Sequence, residues 1–421
     1  MHFWYKIFTY LFYPVAPIYL YFRKLKNKEN KSSIQEKLAK INIKRKDGYL
    51  IWFHVASVGE AMSILPLVEK YLYEKKITNI LITSITLSSG TILQNRFDKH
   101  SKVIHQFLPL DIPNLTKKFL EYWKPNLSIF IDSEIWPNLI LQISKKNIPL
   151  VLLNARITEK TFNRWKILNK FSKKIFSKFD LCIVANNDSK KFLDVLGAKN
   201  IKNYGNLKFS NIGSEVNTKL DLSFLNSIKD KKIWCASSTH YPEEKFCAEA
   251  HLEIKKKYNN LLTIIIPRHV NRAAQIKKEL SNLKLKVALF TELKYFNSDT
   301  DILLIDTYGD TLKFYNILKY VFLGKSLIKS LAEDSGQNPI EAGKLGCKIF
   351  HGPNVSNFFE IYDYFKSLGR TKLVNNSAEL SLSLVEEFEQ NKPKNEEIKS
   401  KVENYGQTIL NNVMMELKKY I

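Results

Sequence analysis

Short apolar runs that alternate with longer amphipathic stretches restrict the fold of this chain more than any other feature. Residues 49–56, 79–85, 102–108, 127–132, 148–154 and 181–185 are each rich in Ile, Leu or Val and end in a polar loop. Such runs are too short for stable helices and read as strands buried on both faces, the condition of a parallel sheet covered by helices. A second series begins near residue 232, with 232–236, 261–267, 301–306, 320–324 and 348–350 as strands. At 421 residues the chain exceeds one ordinary core. Two series predict two doubly wound α/β domains of roughly 200 residues each, facing across a cleft. The polar stretch 206–230 is the expected linker, dividing 25–210 from 211–421 behind an amino-terminal segment 1–24. The last amphipathic stretch, 395–420, is a candidate to cross back to the first domain.

The amino-terminal segment has its own logic. The twenty residues from Phe3 to Phe22 carry a single charge, Lys6, and are followed at once by Arg23, Lys24, Lys26 and Lys28. A helix of that length reaches about 30 Å, one hydrocarbon core, and the basic cluster after it would keep the rest of the chain in the cytoplasm. Pro14 and Pro17 interrupt the helix ladder, and ten aromatic rings suit the membrane interface as well as its interior, so a kinked interfacial anchor is the alternative. A cleaved signal peptide is disfavoured, because its charge would precede the apolar run.

Composition excludes other classes. Cys182, Cys235, Cys247 and Cys347 form no C-x-x-C pair and no zinc spacing, which fits packing residues in a reducing compartment. A net charge of +24 attracts anionic partners, but the chain has no helix-turn-helix, zinc-finger or RNP signature, so nucleic acid is not the expected partner.

In this fold class ligands bind beyond the carboxyl ends of the strands, and those loops carry the chemistry. The loop after the first strand reads Ala56-Ser57-Val58-Gly59-Glu60. A carboxylate in the first turn of a helix tends to stay ionised, which suits a general base and equally a simple helix-stabilising device. The fourth strand ends in Asp132-Ser133-Glu134-Ile135-Trp136-Pro137-Asn138, with D-x-D-like spacing but no further acid or histidine to complete a hard-cation site. The second half places Ser237-Ser238-Thr239-His240, Pro267-Arg268-His269, Asp306-Thr307-Tyr308-Gly309-Asp310 and Gly324-Lys325-Ser326 at successive strand ends, a candidate phosphate-binding rim. Asn338-Pro339-Ile340-Glu341 opens a helix whose early Glu suits ribose hydroxyls.

The runs SVGE (57–60), SEIWPN (133–138), NARIT (154–158), GNLKF (205–209), SSTHYPEE (237–244), PRH (267–269), DTYGD (306–310) and NPIEA (338–342) resemble, in order and spacing, those of 3-deoxy-octulosonic acid (Kdo) transferases. The resemblance implies a GT-B-type glycosyltransferase with two Rossmann-like domains and an amino-terminal membrane anchor, working without cofactor or metal at the cytoplasmic face of the bacterial inner membrane. It implies a CMP-Kdo donor in the second domain and a lipid A precursor, held in an anionic membrane, as acceptor on the first. By position Glu60 resembles the family's catalytic base, and Glu134 and Lys208 its transition-state stabilisers. Arg268, His269, Tyr308, Gly309, Asp310, Asn338, Pro339, Ile340 and Glu341 fall on the donor-binding segments. Two departures from the family pattern are Ser335-Gly336-Gln337, where Gly-Gly-His is common, and Asp310, where Glu is more usual. The competing readings are another two-domain sugar-nucleotide transferase acting on a lipid-linked acceptor, and a non-catalytic basic tether.

Overall fold

A computed structural model describes residues 1–211, 220–292, 297, 299–329, 335–390, 394 and 396–421. Their contacts divide them into two compact units, Met1–Ile212 with Tyr405–Ile421, and Gly213–Asn404. The last helix, Glu396–Leu417, therefore contributes its end to the first unit, where Tyr405 packs edge-on against Phe209 at 5.0 Å.

The first unit holds seven parallel strands: β1 (Tyr49–His54), β2 (Ile77–Ser84), β3 (Val103–Phe107), β4 (Leu127–Ile131), β5 (Leu150–Ala155), β6 (Leu181–Val184) and β7 (Ile201–Asn203). Their order in the sheet is β3-β2-β1-β4-β5-β6-β7, all pairs parallel. The chain starts at β1, winds one way to β3, then returns past β1 to β4 and winds the other way. The crevice at that reversal is where a doubly wound sheet exposes its loops. Strands β4 and β5 are buried along their whole length, and Trp52 of β1 packs between Phe119 and Phe130 at 5.0 and 5.2 Å.

The second unit repeats the plan with β8 (Lys232–Thr239), β9 (Leu261–Pro267), β10 (Val287–Leu289), β11 (Ile302–Leu304), β12 (Tyr320–Leu323), β13 (Lys348–His351) and β14 (Thr371–Leu373). The order is β10-β11-β9-β8-β12-β13-β14, again parallel, with its reversal between β8 and β12. Neighbouring residues of β8 serve opposite faces: Trp234 and Ala236 join one hydrophobic cluster and Cys235 the other. This two-sided burial makes the strand sequence continuously apolar.

Three expectations need correction. Strands β7, β10 and β14 were not anticipated; each has three residues, lies at the outer end of its sheet and is only partly buried, and β7 and β14 carry no apolar run while the Val-Ala-Leu of β10 is too short to mark a strand. The expected linker 206–230 is partly structured, with a 3-10 turn at Leu207–Ser210 and a helix at Leu222–Ile228; residues 212–219 lie outside the described ones. The expected twenty-residue amino-terminal helix is two helices, His2–Phe12 and Ala16–Leu25, parted at Tyr13–Val15 around Pro14, with Pro17 in the first turn of the second. Among the described residues no helix is long and apolar enough to cross a membrane. Tyr5, Thr9 and Phe12 turn toward the body, while Phe3, Trp4, Phe8 and Leu11 are 65–70% exposed.

Candidate active site

Glu60 stands in the first turn of the helix Val58–Leu72, beyond the carboxyl end of β1 and beside the reversal point. Ser57 caps this helix: its Oγ accepts the Glu60 N–H at 3.3 Å and donates to Glu60 Oε1 at 2.8 Å, while the Ala56 N–H donates to Oε2 at 2.7 Å. The helix terminus alone would favour the ionised carboxylate. Burial outweighs it, the negative charges of Asp132 and Glu134 add to it, and the bonds from Ala56 and Ser57 only partly compensate; the carboxyl is pushed up to about 7. A side chain expected to stay ionised is thus poised near neutrality, where a base both accepts and releases a proton readily.

The second loop comes from β4. Asp132 has φ +61°, a left-handed conformation that ends the strand abruptly and turns Ser133 and Glu134 into the crevice mouth. Burial raises the Asp132 pKa, opposed by the charges of Lys208 and Arg156. Glu134 Oε2 accepts the Trp136 indole N–H at 2.8 Å and lies 3.2 Å from His54 Nε2. His54 ends β1, is wholly buried, and has its Nδ1 fixed 2.9 Å from Thr83 Oγ1. Lys208 arrives on the turn Leu207–Ser210, whose N–H groups are taken by Asn206 and Asn154 at 3.0 and 2.8 Å, and which packs on the helix of Glu60. Glu60, Asp132, Glu134 and Lys208, from three loops, thus form one electrostatic cluster. His54 and Arg156 belong to it and were missed. The available signals were a lone histidine closing an apolar strand and the arginine of the NARIT run. Among the described residues no three His, Cys, Asp or Glu side chains converge as metal ligands.

In the second unit every anticipated donor-site residue lies after a strand's carboxyl end or at the helix start before β13. Arg268 and His269 follow β9; the Arg268 N–H bonds the Thr239 carbonyl at 3.0 Å, and the His269 ring meets His240 edge-on at 5.5 Å. Both Arg268 and His269 are exposed. Tyr308 is 73% exposed, Gly309 takes φ +90° in open surroundings, and Asp310 accepts from Thr307 and pairs with Lys313 at 2.6 Å. Partial burial of Asp310 is overcome by those two partners, which lower its pKa. Asn338 Oδ1 accepts the Ile340 N–H at 3.1 Å, Pro339 and Ile340 are buried, and Glu341 keeps solvent contact although surrounding protein raises its carboxyl pKa. The helix Thr311–Ile317 packs on Ile340–Lys344 and sends Tyr315 Oη to Ser237 Oγ at 2.7 Å, tying the DTYGD and NPIEA segments to β8.

One part of the expected phosphate rim is already filled. The buried Glu243 carboxylate accepts the N–H groups of His240 (3.0 Å), Lys325 (2.6 Å), Ser326 (2.9 Å) and Leu327 (3.1 Å). The Gly324-Lys325-Ser326 backbone is therefore a structural clamp on the protein's own carboxylate. Gly324 permits it: a Cβ there would meet Glu243 Oε2, the Ser238 carbonyl and Thr239 Cα, each at 2.7 Å.

Two doubly wound parallel units, one with an acid cluster and a lysine at its reversal point, define a protein of GT-B-like architecture. Residues 32–211 match the family model described as 3-Deoxy-D-manno-octulosonic-acid transferase (kdotransferase). Over 386 residues the chain is 31% identical to the probable mitochondrial 3-deoxy-D-manno-octulosonic acid transferase of Arabidopsis thaliana, covering 90% of this chain and 85% of that one. It is also 31% identical over 357 residues to the 3-deoxy-D-manno-octulosonic acid transferase of Rickettsia bellii, covering 85% and 84%. The chain belongs to the 3-deoxy-D-manno-octulosonic acid transferase family. In fold it is similar to UDP-GlcNAc 2-epimerase from Neisseria meningitidis bound to UDP-GlcNAc, with a TM-score of 0.57 over 87% of this chain and 100% of that one at 15% identity, a likeness of architecture alone.

Proposed function

We propose that this enzyme transfers Kdo from CMP-Kdo to a lipid A precursor such as lipid IVA, with inversion at the anomeric carbon. The observation that carries the reading is Glu60: a carboxyl poised at about 7 beside Asp132, Glu134 and Lys208, at the point where a doubly wound sheet receives its ligand. Glu60 takes the proton of an acceptor sugar hydroxyl as its oxygen forms a bond to the Kdo anomeric carbon. The bond from that carbon to the CMP phosphate oxygen breaks, its electron pair leaves with CMP, and attack from the opposite face inverts the centre. Kdo carries a carboxylate on the reacting carbon and CMP leaves as a monophosphate, so negative charge accumulates. In the first unit Lys208 is the cation assigned to it, and Glu134, held by Trp136 and beside His54, is assigned to the oxocarbenium-like carbon. Arg268, His269, Tyr308 to Asp310 and Asn338 to Glu341 hold the donor.

The acceptor side is read as the cytoplasmic face of the bacterial inner membrane. Exposed Phe3, Trp4, Phe8, Leu11, Ile18 and Phe22 followed by Arg23, Lys24, Lys26 and Lys28 suit helices lying in an anionic interface. The test is to incubate the full-length protein with CMP-Kdo and tetra-acylated lipid A precursor and measure product mass. Mass increments of Kdo are expected. Turnover of a UDP-sugar with none of CMP-Kdo would favour the rival sugar-nucleotide transferase.

A further inference from the structure

The helix Pro137–Lys145 starts directly after the Glu134 loop and has no cap of its own, since the Trp136 side chain at the N-cap accepts no bond from the first-turn N–H groups and Pro137 follows. Its free first-turn N–H groups must find acceptors elsewhere. They find Asp111, from the loop after β3. Asp111 Oδ2 accepts the Asn138 N–H at 3.0 Å and Oδ1 the Leu139 N–H at 2.9 Å, while its main-chain carbonyl accepts Asn138 Nδ2 at 2.7 Å. Both residues are buried. The same clasp is closed from the amino terminus: Tyr5 Oη donates to Asp111 Oδ2 at 2.8 Å, and Asn138 Nδ2 also donates to Thr9 Oγ1 at 3.1 Å. Tyr10 Oη adds a bond to Asn114 Oδ1 at 3.1 Å.

The clasp therefore fixes where Pro137 and Trp136 stand, and the Trp136 indole N–H fixes Glu134 Oε2. We propose that Asp111 and Tyr5 are positioning residues for the transfer, holding the Glu134 carboxylate in place through Trp136. The helix that carries the exposed aromatic face then sets the rate of the chemical step, in addition to any part in membrane attachment. The inference rests on the reading that Glu134 acts in the transition state. A misplacement of about 1 Å in such a group costs on the order of 10²-fold in rate.

The test uses the full-length protein with CMP-Kdo and detergent-dispersed acceptor, so that surface concentration of the lipid does not limit turnover. Tyr5→Phe removes one hydroxyl and leaves the exposed face untouched; Asp111→Asn leaves the shape and removes one acceptor. Expected are a kcat lower by about tenfold for Tyr5→Phe and roughly 10²-fold for Asp111→Asn, with KM for both substrates nearly unchanged. In a Glu134→Gln background neither substitution lowers kcat further, because the carboxylate they position is gone. Should Asp111→Asn fold poorly by thermal midpoint, Tyr5→Phe alone and with Glu134→Gln carries the test. A wild-type kcat for Tyr5→Phe, an effect confined to KM, or losses that multiply with that of Glu134→Gln overturns the relay. A Glu134→Gln enzyme of wild-type kcat refutes the role of Glu134 itself, and the relay with it.

Discussion

Replacing Glu60 with Gln separates catalysis from stability, because the two respond to pH in different ways. In the folded protein the Glu60 carboxyl is raised from its ordinary 4.5 to about 7, chiefly by burial. A raised acid contributes stability that is fully present below pH 4.5 and is lost as pH rises through about 7. A difference of this size corresponds to about 3 kcal/mol between protonated and ionised forms. Gln cannot ionise, so it avoids that loss. Its carbonyl can accept the Ala56 N–H and its NH₂ can donate to the rotatable Ser57 hydroxyl, as the protonated acid does. The variant is therefore expected to match the parent closely at pH 4.5, where Glu60 is itself protonated, and to gain on it as pH rises to 8. In thermal midpoint the relative gain between those pH values is roughly 5–10 °C. Single-turnover rate tells the other half. The parent should speed up as pH rises through about 7 and level off above it, whereas Glu60→Gln should lack that rise and be slower by ~10²–10⁴-fold on the plateau, the gap narrowing as pH falls. CMP-Kdo affinity, assigned to the other unit, should hardly change. Both quantities are read on one preparation by scanning fluorimetry and rapid quench. A folded variant with near-parental single-turnover rate removes Glu60 from the chemistry, and a parental rate flat between pH 6 and 8 refutes the argument from burial.

Glu243→Gln is expected to cost ~1–3 kcal/mol, since the amide presents a donor to backbone N–H groups of the β8/β12 loops that now share a carboxylate. A midpoint within 1 °C of the parent would show that the clamp is dispensable. Transfer is expected to survive strong chelation, because Lys208 and Arg156 already place positive charge beside Asp132; loss with EDTA and recovery with Mg²⁺ would revive the metal reading of Asp132 and Glu134. Joint Trp4→Ser and Phe8→Ser substitution should lower binding to anionic vesicles while leaving detergent-phase kcat unchanged and stability within about 0.5 kcal/mol, because both side chains are some two-thirds exposed. Unaltered sedimentation with vesicles would exclude this face as the contact.

Local chemistry alone made much of the architecture legible. Residues 49–56 and 127–132 had to be buried strands because nothing else hides so continuous an apolar run of that length, and burial on both faces implied a parallel sheet. From this it followed that ligand chemistry belongs to the loops after them, and Glu60, Glu134 and Lys208 do converge there in the first unit. Strands β7, β10 and β14 were illegible, because an outer strand of three partly exposed residues leaves almost no period to detect.

Other features depend on groups distant in the chain, which no local pattern encodes. Glu60 read alone is an ionised helix-terminal acid; only the mass of protein around it, and the approach of Asp132 and Glu134, turns it into a group poised near neutrality. Gly324-Lys325-Ser326 read alone is an anion-binding loop, and only the fold reveals that Glu243 already occupies it. His54 and Asp111 carry no local signal of a role, and only the fold sets one 3.2 Å from Glu134 and gives the other the N–H groups of Asn138 and Leu139. Sequence determined the elements and the ends at which chemistry sits, because burial and capping act over a few residues. Tertiary structure decided which groups meet and in what charge state, because desolvation and Coulomb forces depend on distance in space.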